Sequence, residues 1–174
     1  MTPTLTVGAL TSSHRQQIEG IVRATGVFSD GEVDVALELF DETFGSPARR
    51  GAEHGASTPD YEFLGAFADA TLVGYACFGP TPSTDRTYDL YWIAVHPAAQ
   101  RSGAGAALMN EVERILSERR SRMIVIETSS RDDYAPTRRF YHRRGYEEAA
   151  RLRDFYSPGD DRVVLTRRLT APAS

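Results

Sequence analysis

The sequence predicts a mixed α/β domain, with seven strands and four helices in the order β-α-α-β-β-β-α-β-α-β-β. Three observations carry that prediction. Short apolar runs rich in β-branched and aromatic residues recur along the chain. Between them, longer stretches repeat apolar residues at helical spacing. Glycine, proline and small polar residues punctuate the joins. The 174 residues suffice for one hydrophobic core, so a single domain is expected over residues 1–170, with a frayed tail at 171–174.

The elements follow in order. Thr4–Ala9 alternates as a first strand. Ser13 with Gln16 has the spacing of a capping box, and Ile18, Ile21 and Val22 then recur at helical period. A second box, Ser29-Asp-Gly-Glu32, opens a helix whose stripe is Val33, Leu37, Phe40 and Phe44; Gly45 and Pro47 end it. Residues 46–59 read as a loop. Strands are expected at Tyr61–Ala68 and Leu72–Gly79, joined by a turn at Asp69-Ala70-Thr71, and at Tyr88–Val95. After Pro97 the two glycines 103 and 105 precede a long helix with Leu108, Val112, Ile115 and Leu116 on one side. Met123–Thr128 is a buried strand, Ala135–Arg144 a helix stopped by Gly145, and Tyr146–Tyr156 with Arg162–Leu169 a last pair of strands.

Composition narrows the function classes. The net charge of −4 carries no sign of the basic face that nucleic-acid binders present. No apolar run approaches the roughly 20 residues that span a bilayer, and Met1–Leu10 lacks the pattern of a signal peptide. A cytoplasmic protein is the expectation. Cys77 is the only cysteine; it cannot form an internal disulfide and, inside an apolar strand, reads as core. Four histidines without ligand spacing give no metal site.

The most informative segment is the strand Tyr88–Val95, then His96-Pro97, then Gln100-Arg-Ser-Gly-Ala-Gly105 at the head of a helix. A strand-to-helix turn of small residues leaves backbone N–H groups pointing outward, and the helix dipole adds positive potential there. Arg101 can add a guanidinium. Close packing alone would also favour small residues at such a place. A Walker A loop is excluded, because no Gly-Lys-Ser/Thr follows. A dinucleotide fingerprint fits poorly, because its third glycine position is Leu108.

This V-x-P-x-x-Q-x-x-G-x-G run resembles the coenzyme-A-binding motif of the GNAT N-acetyltransferases. Downstream, Phe140-Tyr141-His-Arg-Arg-Gly145-Tyr146 resembles that family's C-terminal F-Y-x-x-x-G-F/Y motif. The two occur in the right order, separated by one helix and one strand. The resemblance implies the acyl-CoA N-acyltransferase fold, a mostly antiparallel seven-stranded sheet whose fourth and fifth strands splay apart. It implies acetyl-CoA as co-substrate, with the pantetheine arm against Ile93, Ala94 and Val95. The pyrophosphate would meet the amides of Arg101, Ser102, Gly103, Ala104, Gly105 and Ala106. The family often has Asn near the start of the last helix, where this chain has Tyr134, so no amide contact is carried over there.

For the chemistry, the resemblance implies Tyr141 as general acid toward the departing thiolate; packing against the sheet is the plainer alternative. A phenol with a pKa near 10 suits that task. Glu127, within an apolar run at the end of the fifth strand, either relays the amine's proton through water or forms an ion pair with an arginine. Asp89, Tyr88 and Tyr91 compete with it from the fourth strand, with Asp89, Tyr91 and Ile93 on one face by alternation. Asp89 and Tyr91 are also candidate substrate contacts. His96 falls at a position that is commonly polar and varied in the family, and His142, among Arg138, Arg139, Arg143 and Arg144, reads as part of a solvated face from which one arginine can reach the coenzyme's phosphates. The segment Ser29–Glu42 carries Asp30, Glu32, Asp34, Glu38, Asp41 and Glu42 with no basic residue. In the family this region walls the acceptor site, so it suits a cationic amine, or is simply a solvated face. The expected activity is acetyl transfer to a small-molecule or peptide amine, by a monomer or homodimer. The alternative is a coenzyme-A-binding regulatory module without turnover.

Overall fold

The first strand, β1 (Leu5–Ala9), pairs antiparallel with β2 (Glu62–Ala68), which turns at Asp69 into β3 (Thr71–Pro80). The computed structural model describes residues 4–45 and 61–169; the expected loop at 46–59, Pro47 and the tail at 171–174 lie outside them. Asp69 has a positive φ of 53°, and its carboxylate accepts from the Thr4 amide at 3.1 Å.

Helices α1 (Arg15–Thr25) and α2 (Asp30–Phe44) lie between the first two strands in sequence. The cap of α2 is the one its sequence predicts. The Ser29 amide donates to Glu32 Oε2 at 2.7 Å, and the Glu32 amide to Ser29 Oγ at 3.3 Å. Such caps are worth about 1 kcal/mol. The cap of α1 differs from expectation. A 3-10 turn at Ser12–His14 precedes the helix, and the Thr11 amide donates to His14 Nδ1 at 3.0 Å. The imidazole takes the place of the usual carboxylate, with the box at Thr11–His14 rather than at Ser13–Gln16. Arg15 then binds Asp41 through Nε at 2.7 Å and Nη2 at 2.8 Å, joining α1 to α2.

Apolar periodicity becomes packing directly. Ile18, Ile21 and Val22 of α1 and Val33, Leu37 and Phe40 of α2 are buried. Phe40 meets Phe63 edge-on at 5.4 Å, and Phe63 stacks on Tyr75 at 6.3 Å, carrying the aromatic core from α2 into the sheet.

The remaining elements are β4 (Thr87–Val95), α3 (Ala104–Glu118), β5 (Met123–Ser129), α4 (Ala135–Arg143), β6 (Glu147–Ser157) and β7 (Asp160–Arg168). The sheet has seven strands in the order β1-β2-β3-β4-β5-β7-β6. β4 and β5 pair in parallel, as expected when a helix crosses over between them. Their ladder runs from Thr87↔Met123 to Leu90↔Ile126 and stops, although β4 continues to Val95. On the far edge, β6 is exposed along its whole length, and its pairing with β7 breaks between Leu152 and Ser157.

The chain resolves into two compact units, Met1–Gly79 with Trp92–Val112 and Pro80–Tyr91 with Glu113–Ser174. The first has Val22, Phe40, Tyr75 and Leu108 among its buried side chains; the second has Ile124, Tyr146 and Leu165. Both β4 and α3 contribute residues to each unit. No helix among the described residues is long and apolar enough to cross a membrane.

Burial pushes up the Cys77 thiol and the phenols of Tyr75, Tyr141 and Tyr146. Each is raised when folded, so its stabilising effect is complete below its unfolded pKa and is lost as pH rises beyond it. Thermal stability should therefore fall from about pH 8.5 upward, by up to about 1.4 kcal/mol per pH unit for each group that the unfolded chain ionises. Melting curves between pH 7 and pH 11 test this, and a flat profile contradicts it.

Candidate active site

In the first unit, β4 leads into the turn suggested by the sequence. The His96 amide donates to Val73 O at 2.8 Å, and Pro97–Ala99 forms a 3-10 turn. His96 is structural: its Nδ1 accepts from the Ala98 amide at 3.2 Å. Arg101 and Gly103 then both take positive φ, 64° and 93°. The reversal lets successive amides face outward.

α3 starts at Ala104, so Gly105 lies inside its first turn rather than before it. A Cβ on Gly103 would meet nothing within 4 Å, so φ and not space requires glycine there. Two of the six expected amides are committed within the turn. Ser102 donates to Ala99 O at 3.3 Å, and Ala104 to Ser102 Oγ at 3.4 Å. Those of Arg101, Gly103, Gly105 and Ala106 have no acceptor among the described residues. Four open donors at the head of a fifteen-residue helix fit a diphosphate.

Beside the turn, β3 approaches closely. A Cβ on Gly74 would sit 2.9 Å from Ala94 O and 3.1 Å from Val95 Cγ2. Gly74 thus shapes the backbone at the residues expected to meet pantetheine. Its signal in the sequence is a glycine inside an apolar strand. Ala94 is buried, while Ile93 and Val95 are half-buried.

In the second unit, Tyr141 lies in the last turn of α4 and is 2% exposed. Its carbonyl accepts from the amides of Arg144 at 2.9 Å and Tyr146 at 3.1 Å. Its ring meets Phe140 and Tyr146 edge-on at 5.4 and 5.7 Å. Burial raises its pKa, and the Arg144 charge opposes that in part. The hydroxyl has no hydrogen-bond partner among the described residues. The phenol is thus protonated at neutral pH, and no described residue engages its hydroxyl.

Glu127 is exposed on β5 and ion-paired with Arg162 of β7. Arg162 also lies over the Phe155 ring, 4.9 Å from its centroid. Of the two readings open for Glu127, the ion pair is present. Asp89 Oδ2 accepts from Thr81 Oγ1 at 2.7 Å. Tyr91 and Glu127 each follow directly on the last pair of the β4–β5 ladder, at its open end. His142 uses Nδ1 to bond the Tyr146 carbonyl at 3.0 Å, a structural role. Cys77 is fully buried. The arginine partners of Glu127 and, as described below, of Glu113 were not identified by sequence reasoning.

The family model described as acetyltransferase (GNAT) family matches residues 32–146. Among solved structures, the chain is similar to a GNAT-family protein from Desulfovibrio desulfuricans. That match has 38% identity over 96% of this chain and 100% of the other, with a TM-score of 0.83. It also resembles the ribosomal-protein-S18-alanine N-acetyltransferase of Escherichia coli, at 18% identity over 98% and 97% of the two chains, TM-score 0.73. The PaiA N-acetyltransferase of Thermoplasma acidophilum, solved with coenzyme A, matches at 16% identity over 95% and 99%, TM-score 0.68. The last two share the fold. No curated protein sequence matches the chain. With two thirds of its length matched by the family model and a relative of 38% identity along nearly all of it, the chain belongs to the GNAT family, as an acetyl-CoA-dependent N-acetyltransferase.

Proposed function

We propose that this enzyme acetylates a primary amine, on a small molecule or a peptide, by direct attack on the thioester of acetyl-CoA. The observation that carries the reading is Tyr141: a buried phenol, kept protonated, with a hydroxyl that no described residue occupies. The open amides of Arg101, Gly103, Gly105 and Ala106 hold the diphosphate, and β4 at Ile93–Val95 aligns the pantetheine arm. The neutral amine forms the new C–N bond as the C–S bond breaks. Tyr141 gives its proton to the thiolate and is reprotonated from solvent. The proton released by the amine leaves through water to Glu127, which is ion-paired with Arg162. Asp89, fixed by Thr81, and Tyr91 border the acceptor.

A cationic acceptor is favoured by α2. Asp30 is paired with Arg23, Glu32 caps Ser29, and Asp41 binds Arg15. Asp34, Glu38 and Glu42 remain exposed at four-residue spacing, one acidic row along the helix. Like charges so spaced repel by a few tenths of a kcal/mol per pair, which a cationic partner relieves.

Release of free thiol from acetyl-CoA, followed across a panel of polyamines, amino sugars and lysine peptides, tests the function. No release with any amine would leave a coenzyme-binding module without turnover. Glu127→Gln should slow the reaction most at low pH, where the amine is mostly protonated, and less as pH rises. The kcat/KM profile of both proteins with one acceptor measures this; an equal loss at every pH would make Glu127 a partner of Arg162 only.

A further inference from the structure

Glu113, on α3, has only 14% of its side chain exposed. A carboxylate so withdrawn from water requires compensation, and it has three sources. Arg144 donates through Nε at 3.3 Å and Nη2 at 2.8 Å. Arg167 Nη1 lies 2.9 Å from Oε2, and the Tyr146 hydroxyl donates to Oε1 at 3.2 Å.

Two of these partners, Arg144 and Tyr146, flank Gly145 just past the end of α4. Gly145 has a φ of 81°, which turns the chain there. The amides of the same two residues both bond the Tyr141 carbonyl, and the Tyr146 ring, 1% exposed, packs on the Tyr141 ring. Arg144 also lies over Phe140, 5.8 Å from its centroid. α4 has nine residues, too few to hold its own last turn in place. Both residues that fix the backbone and ring of Tyr141 are therefore gripped, by their side chains, on one carboxylate.

We propose that Glu113 is a positioning residue: through Arg144 and Tyr146 it sets the orientation of the Tyr141 hydroxyl for proton delivery. This rests on the reading of Tyr141 as the proton donor. The contacts of Glu113 are with Arg144, Arg167 and Tyr146, and its effect passes through the tyrosine.

A mutant cycle tests the inference, with Glu113→Ala, Tyr141→Phe and the double variant assayed well below their melting temperatures. Glu113→Ala should lower kcat by roughly 10²-fold, the scale expected of about 1 Å of misplacement, with KM for acetyl-CoA within about twofold of wild type. Glu113→Gln keeps an acceptor oxygen and should restore much of the rate. The double variant should be no slower than Tyr141→Phe alone. Losses that multiply, or an Ala variant with lower melting temperature and unchanged kcat, would overturn the inference while leaving Tyr141 as donor. Full turnover in Tyr141→Phe would instead remove the donor reading, and this inference with it. If the Ala variant does not fold, Tyr146→Phe, which deletes one hydroxyl of the grip, takes its place in the cycle with the same criteria.

Discussion

Replacing Tyr141 with phenylalanine should lower kcat by roughly 10²–10⁴-fold, the range for losing a general acid. The change deletes one hydroxyl that no described residue bonds, and it leaves the ring contacts with Phe140 and Tyr146 in place. Melting temperature and acetyl-CoA affinity should therefore hold. Burial gives the effect its direction. The raised pKa keeps the phenol protonated across neutral pH, so the proton is available where the enzyme works, but it also makes the phenol a weaker acid. Transfer to a free thiolate, whose thiol has a pKa of about 8.5 on the cysteine scale, is uphill, so the phenol serves by sharing its proton as the C–S bond breaks. Steady-state kinetics of both proteins with one amine decide the matter; unchanged turnover returns Tyr141 to a packing role.

The second large effect concerns Gly105→Asp. Gly105 lies in the first turn of α3 and does not have a positive φ, so aspartate meets no backbone penalty there. An acidic residue in the first turn even suits the helix dipole. The fold should survive. Its carboxylate, however, brings negative charge beside the open amides of Gly103, Gly105 and Ala106, against a diphosphate. Acetyl-CoA at 100 times its Kd stabilises the native state by about 2.7 kcal/mol; in the variant that thermal shift should vanish. A full shift would place the phosphate site elsewhere. Gly103→Asp would be the poorer probe, since its φ of 93° adds backbone strain to the loss of binding.

What the sequence made legible is what local chemistry controls. The α2 cap follows from Ser29 and Glu32, three positions apart, and the stripe Val33, Leu37, Phe40 becomes core directly. The turn ahead of α3 was legible because glycine marks backbone conformation. At Gly103 φ, and not clearance from neighbouring atoms, is limiting. The start of α1 was misread because His14, whose ring nitrogen accepts the capping bond, belongs to no common cap pattern. Long-range pairing was not legible. Glu113 meets Arg144 across 31 positions, and many arginines could have been its partner. Arg162 reaches Glu127 because β7 places it diagonally: Glu127 opposes Val164, and Arg162 lies two residues along on the same strand. That choice depends on register, which periodicity alone does not supply.

The interrupted edge of the sheet has a consequence for solubility. β6 is eleven residues long, exposed along its length, and carries Leu152, Phe155 and Tyr156 on the surface. A flat strand of that kind is a template on which other chains add. Here Asp154 takes a φ of 52°, inside the break between Leu152 and Ser157, and bends the strand out of the plane it would otherwise present. Glu147, Glu148, Arg151 and Arg153 place charge along the remainder. Straightening the bulge or neutralising those charges would leave the native contacts of the core untouched. It would nonetheless turn a self-limiting border into an adhesive one, so the cost would appear in colloidal behaviour at high concentration rather than in melting temperature.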